Sequence, residues 1–179
     1  MSADWRIGVV ALLALAGCAP VNDPSAGLTP AQVVQFIDQT PATDVTSDAA
    51  AEAFALNSRS TDVQRQMLEQ ALIGHTVEWS IPVFDVKLDG ARFLVQSSEF
   101  PVADGEAVPL LRVMAYITPQ SEADDALLRN VKTGDTLRIR GVVQEIRLRT
   151  FVVVVPGVVV GSSRAAGNGD DSASGDTNQ

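Results

Sequence analysis

The chain has 179 residues, an apolar fraction of 46% and a formal net charge of -9, which suits one domain with a real core plus extensions and disfavours a polyanion as partner. That acidity sits in the flanks, because basic and acidic residues nearly balance between His75 and Val160. One cysteine, Cys18, excludes an intramolecular disulfide framework and a zinc site of the multi-cysteine kind.

Residues 1–17 read as a targeting segment, with a polar start carrying Arg6, an apolar run from Ile7 to Ala16, and small residues after it. The run is too short to cross a bilayer as a helix, which takes ~20 residues. It ends in Leu15-Ala16-Gly17-Cys18, which resembles the lipobox of bacterial lipoproteins at all four positions. The resemblance implies cleavage before Cys18 and lipidation of its thiol and new amino group, so that the lipid holds the protein to a membrane. With Ala19 and no aspartate next, the pattern of enteric bacteria implies the outer membrane, facing the periplasm. The competing reading is a buried apolar helix of a cytosolic protein; it lacks any amphipathic pattern and runs straight into turn-forming residues.

Residues 18–28 have the Pro, Asn, Asp, Ser and Gly content of a tether, expected to hold the domain off the membrane. A helical extension covers 29–56. Thr29-Pro30 supplies an N-cap and a first-position proline, with Val33, Val34, Phe36 and Ile37 at helical spacing up to Pro41. An alanine-rich second helix is expected over Asp48 to Leu56. Thr61 and Gln64 match a capping box, which opens a third helix with Val63, Met67, Leu68, Ala71 and Leu72 along one core-facing stripe. The three helices are expected to plug one end of a barrel.

The stretch Gly74 to Gln96 organises the domain. Val77, Trp79 and Ile81 alternate with Glu78 and Ser80, the period of a strand with one face in a core. Pro82 cannot donate to a ladder, so it predicts a bulge, beyond which Phe84, Val86 and Leu88 carry the apolar period. Asp89-Gly90 predicts a tight hairpin. The second strand turns Phe93 and Val95 inward and Arg92, Leu94 and Gln96 outward. After a loop over Ser97 to Val108, Leu110 to Ile117 form a third strand, with Arg112, Met114 and Tyr116 outward. Ser121, Glu122, Asp124 and Asp125 start a helix that is expected to stop at Gly134. Asp135 to Glu145 is a fourth strand broken by Gly141, and Arg149 to Val160 a fifth broken by Pro156-Gly157. Gly161 to Gln179 has no large apolar residue and reads as a disordered tail.

Three strands, a helix and two strands predict a mainly β fold, a five-stranded OB-fold barrel of order β-β-β-α-β-β preceded by short helices. Leu-Ile-Gly-His-Thr-Val-Glu-Trp (72–79), Asp85-Val86, and Lys132-Thr133-Gly134-Asp135-Thr136-Leu137 with Gly141 resemble signposts of bacterial OB-fold proteins, including the tRNA-anti-like family. The resemblance spans 57–160 and implies the fold; the family's name does not transfer tRNA binding.

Two surfaces stand out. An OB barrel usually binds on the face of its second and third strands, here Arg92, Leu94, Gln96, Arg112, Met114 and Tyr116, and one aromatic with two arginines is a weak platform for stacked bases. The second is Arg138, Arg140, Arg147 and Arg149, which paired strands could bring together near the last hairpin. Arginine forks there suit a carboxylate or phosphate, while the competing reading is charge that guards an edge strand. Catalysis has little support, since Cys18 is committed to lipid, His75 is the only histidine and sits in a turn, and no serine lies in a nucleophile motif. The expectation is a non-enzymatic, lipid-anchored envelope module without cofactor or metal, binding a protein or small ligand. A single-stranded nucleic-acid binder and a structural subunit of an envelope assembly are the alternatives.

Overall fold

A computed structural model describes residues 23–103 and 105–163. The expected targeting segment, Cys18 and most of the expected tail lie outside the described residues. In chain order the elements are α1 (Pro30–Gln39), α2 (Ser47–Phe54), α3 (Asp62–Leu72), β1 (Thr76–Asp89), β2 (Arg92–Ser97), β3 (Arg112–Ile117), α4 (Glu122–Asn130), β4 (Thr136–Arg147) and β5 (Phe151–Ser163).

The strands close into a barrel of order β1-β2-β3-β5-β4. Only β3 and β5 run parallel; the other neighbours are antiparallel. With α4 between β3 and β4, this is the OB fold. β1 is the shared wall, its first half pairing with β4 from Thr76↔Val142 to Pro82↔Thr136 and its second with β2 from Asp85↔Gln96 to Asp89↔Arg92.

The bend in β1 falls at Phe84 and not at Pro82. Val83 pairs with Ser97 and Asp85 with Gln96, so Phe84 is the extra residue. The reason is the partners that Val83 finds. Its N–H donates to Asp135 O at 2.8 Å and its carbonyl accepts from Gly134 N at 2.8 Å, which holds the strand straight one residue past the proline. Val83 is therefore buried, whereas Phe84 is 55% exposed. Val86 then sits opposite Val95 on the inner face, and Leu88 opposite Phe93 stays exposed beside the hairpin. The hairpin turns on Gly90 alone, at φ 63°, and not on Asp89.

Both capping boxes form. Thr29 and Thr61 accept the backbone N–H of Gln32 and Gln64, whose side chains return the bond to the cap N–H at 2.9 and 2.8 Å. α1 does not plug the barrel. It lies outside, where Val33 and Ile37 bury against Val142 and Val158. α2 sends Ala50, Ala51 and Phe54 into the main core, and Leu56 falls beyond its end, pairing through its backbone with Val108. The apolar stripe expected on α3 is split: Leu68 and Leu72 reach the core and Ala71 is half-buried, while Val63 and Met67 are 65% and 64% exposed. Elsewhere α3 is held by ion pairs from Arg149 to Asp62 and Glu69. α4 is capped by Ser121 and stops at Asn130; Gly134 belongs to the following turn.

β4 and β5 are each continuous, contrary to the expected breaks at Gly141 and Pro156-Gly157. The irregularity is absorbed as a bulge, for Gly141 and Val143 of β4 face Gly157 and Val154 of β5, so that Val155 and Pro156 stand against Val142 alone. β5 starts at Phe151, since Leu148 and Arg149 occupy the turn with φ of 53° and 55°. β4, which carries Arg138, Arg140 and Arg147, is paired with both β1 and β5, so it is not the edge strand that those charges could guard.

Candidate ligand-binding face

On β2 and β3 the outward residues fall where alternation places them. Leu94 pairs with Tyr116 and Gln96 with Met114, so their side chains stand together on the outer surface, half-buried. Arg92 lies over the Tyr116 ring, its guanidinium carbon 5.2 Å from the ring centre.

Two aromatics that the alternation pattern leaves out join this face. The bulge turns Phe84 outward, and the Arg112↔Phe151 register sets Phe151 beside Arg112. Phe84, Gln96, Arg112, Met114 and Phe151 line a hollow of about 90 Å³. The face thus carries three aromatics in place of one. Alternation could not single out Phe151, because Val152 to Val155 are buried on both faces of β5.

Its arginines are already engaged. Arg112 donates through Nε to Glu99 Oε1 at 3.0 Å, and that guanidinium, with the backbone of Glu99, holds the Glu99 carboxyl below its ordinary range. Arg92 pairs with Asp23 and, at 3.3 Å, with Asp89.

The other four arginines do not form one cluster. Arg140 lies opposite Glu78 and Val158, whereas Arg147 lies opposite Phe151, seven residues on, or about 20 Å along a strand. Arg138 pairs with Glu78, Arg140 with Asp38 at 2.5 Å, and Arg147 with Glu145. Arg149 holds Asp62 and, at 2.5 Å, Glu69. It lowers the Asp62 carboxyl by hydrogen bond and charge, and the two acids raise the Arg149 guanidinium in turn. Sequence spacing suggests proximity, but the closed ladder sets the pairs near different ends of β4.

His75 occupies the turn into β1, with Nδ1 3.2 Å from Ile73 O. Among the described residues no three His, Cys, Asp or Glu side chains converge as a metal site, and no helix is long and apolar enough to cross a membrane.

The fold and this face define an OB-fold barrel with an aromatic and apolar outer surface. No protein-family model matches the chain, and comparison with curated proteins gives no match. Among solved structures, Schizosaccharomyces pombe Pot1pC bound to single-stranded DNA is similar at 12% identity and a TM-score of 0.32, over 57% of this chain and 87% of that one. A likeness this loose carries no ligand across.

Proposed function

We propose that the chain is a non-enzymatic, lipid-anchored OB-fold module of the bacterial envelope, held at the outer membrane through Cys18, whose β2–β3 face binds a protein. The Leu15-Ala16-Gly17-Cys18 sequence supports the anchor. The observation that carries the binding role is the hollow between Phe84, Met114 and Phe151. At about 90 Å³ it is well under the ~300 to 1,000 Å³ of a small-molecule site, and it suits one inserted side chain of a partner. Aromatics and Met are enriched in protein interfaces.

One observation favours the second reading, a single-stranded nucleic-acid binder: three aromatics over a barrel face can stack bases, each worth ~1 to 3 kcal/mol. Against it stand the net charge of -9 and the carboxylate already held by every arginine of the face. A photo-reactive phenylalanine analogue at position 151, incorporated in the native cell, separates the two. A discrete adduct that protease removes and nuclease leaves intact supports protein binding. A nuclease-sensitive adduct, with oligonucleotide affinity that falls steeply with salt, overturns it.

A further inference from the structure

Five residues past Cys18 the chain is fastened to the barrel. Asp23 accepts the backbone N–H of Ser25 at 2.9 Å and its hydroxyl at 2.6 Å on one carboxylate oxygen, and the Arg92 guanidinium on the other. Ala26 N–H returns to Asp23 O and Leu28 N–H to Ser25 O, so the segment forms a compact knot in which Ser25 is 6% exposed. The side chains of Arg92 and Asp23 are only 26% and 16% exposed, which shields the pair from solvent. Residues expected to be a tether are thus a clasp on the β1–β2 hairpin. Between clasp and hairpin lies an open hollow of about 670 Å³, bordered by Asp89, Gly90, Thr118 and Pro119.

We infer that this clasp seats the barrel on the lipid headgroups by its β1–β2 hairpin side. The inference rests on the lipid anchor at Cys18 proposed above. From Cys18 to Asp23 the extended chain reaches about 18 Å, whereas an unclasped leash running to Thr29 reaches about 40 Å. A domain of this size is roughly 35 Å across. The short leash therefore cannot carry the barrel's far side to the bilayer, and the long one can. Arg92 opens β2 next to the hairpin, while Gln96 and Phe151 stand at the other end of the face beside the β4–β5 turn. The clasp accordingly turns the Phe84–Phe151 hollow away from the membrane, towards a partner in the periplasm.

The test uses the full lipidated protein in phosphatidylethanolamine and phosphatidylglycerol vesicles with acceptor-labelled headgroups. Cys18 is blocked by its lipid, so a donor dye on Ala91→Cys reports the hairpin and one on Leu148→Cys the β4–β5 turn. The clasp predicts stronger energy transfer from position 91 than from 148, and near parity once Asp23→Ala is added. Parity with Asp23 in place, or an ordering that survives Asp23→Ala, overturns it. The mass of Cys18 in the same preparation keeps the two readings apart: acylated Cys18 with equal transfer removes the clasp and leaves the anchor, whereas Cys18 without acyl chains removes the anchor and the seating with it.

Discussion

Gly141 of β4 and Gly157 of β5 face each other across the barrel wall with no room for a side chain between them. A Cβ on Gly141 would stand 2.6 Å from Pro156 O, 2.6 Å from Val154 Cγ1 and 2.8 Å from the Gly157 Cα. A Cβ on Gly157 would meet first the tip of Ile117, Cδ1 at 2.9 Å. Backbone has nowhere to go, and a side-chain tip can turn aside.

Gly141→Ala is therefore expected to cost ~1 to 3 kcal/mol, the usual range for overpacking, and Gly157→Ala less. Gly161→Ala, whose nearest neighbour is Arg138 Cβ at 3.9 Å, is the control and should be close to neutral. Urea denaturation midpoints give the ranking. Equal midpoints for the three variants would mean that the bulge does not require the close approach.

The ion pairs predict a pH dependence. Asp62 and Glu99 titrate below their ordinary range in the folded protein because Arg149 and Arg112 hold the charged forms. Their contribution is complete above the unfolded value, near pH ~4, and is lost as pH falls through the depressed folded values. Arg149→Gln should lower the denaturation midpoint at neutral pH, with the gap to wild type closing as the solution is acidified. Carboxyl titration by NMR should return Asp62 to the ordinary range in that variant and leave Glu99 depressed. An unmoved Asp62 would mean that Arg149 does not hold it.

At the β4–β5 turn, Leu148 is 89% exposed and adopts φ 53°. Asn tolerates that region far better than Leu. Leu148→Asn should raise stability by ~0.5 to 1 kcal/mol, read as a higher melting temperature. A lower one would show that the leucine makes a stabilising contact despite its exposure.

Phe84→Ser and Phe151→Ser probe the face itself. Phe84 is 55% exposed, so its replacement should leave stability within ~0.5 kcal/mol, as surface changes do. With a photo-reactive residue at position 114, both variants should sharply reduce protein adducts. Full adduct yield from a folded double variant would exclude the hollow as the contact.

The legible parts of this fold were local ones. Thr29 with Gln32 and Thr61 with Gln64 announced helix starts because a capping box closes within three residues, and Trp79, Ile81, Phe93 and Val95 announced buried faces because strand alternation needs no partner to be seen. The misses share a long reach. Phe84 became the bulge because Val83 is bonded to Gly134 and Asp135, some fifty residues on. Val63 and Met67 have the periodicity of a buried stripe, but periodicity does not say whether a surface lies opposite. The four arginines were separated by the register of a closed ladder. Asp23 meets Arg92 across 69 positions, and neither residue alone marks a clasp.

The proposed membrane anchoring of the OB module is tested most directly by the mass and first residue of the mature native protein, taken from fractionated cells. The expected species begins at Cys18, carries acyl chains on it and partitions with the outer membrane, while a Cys18→Ala variant incorporates no labelled fatty acid. A chain that keeps Met1, or that bears an unmodified Cys18 thiol in the soluble fraction, would contradict it.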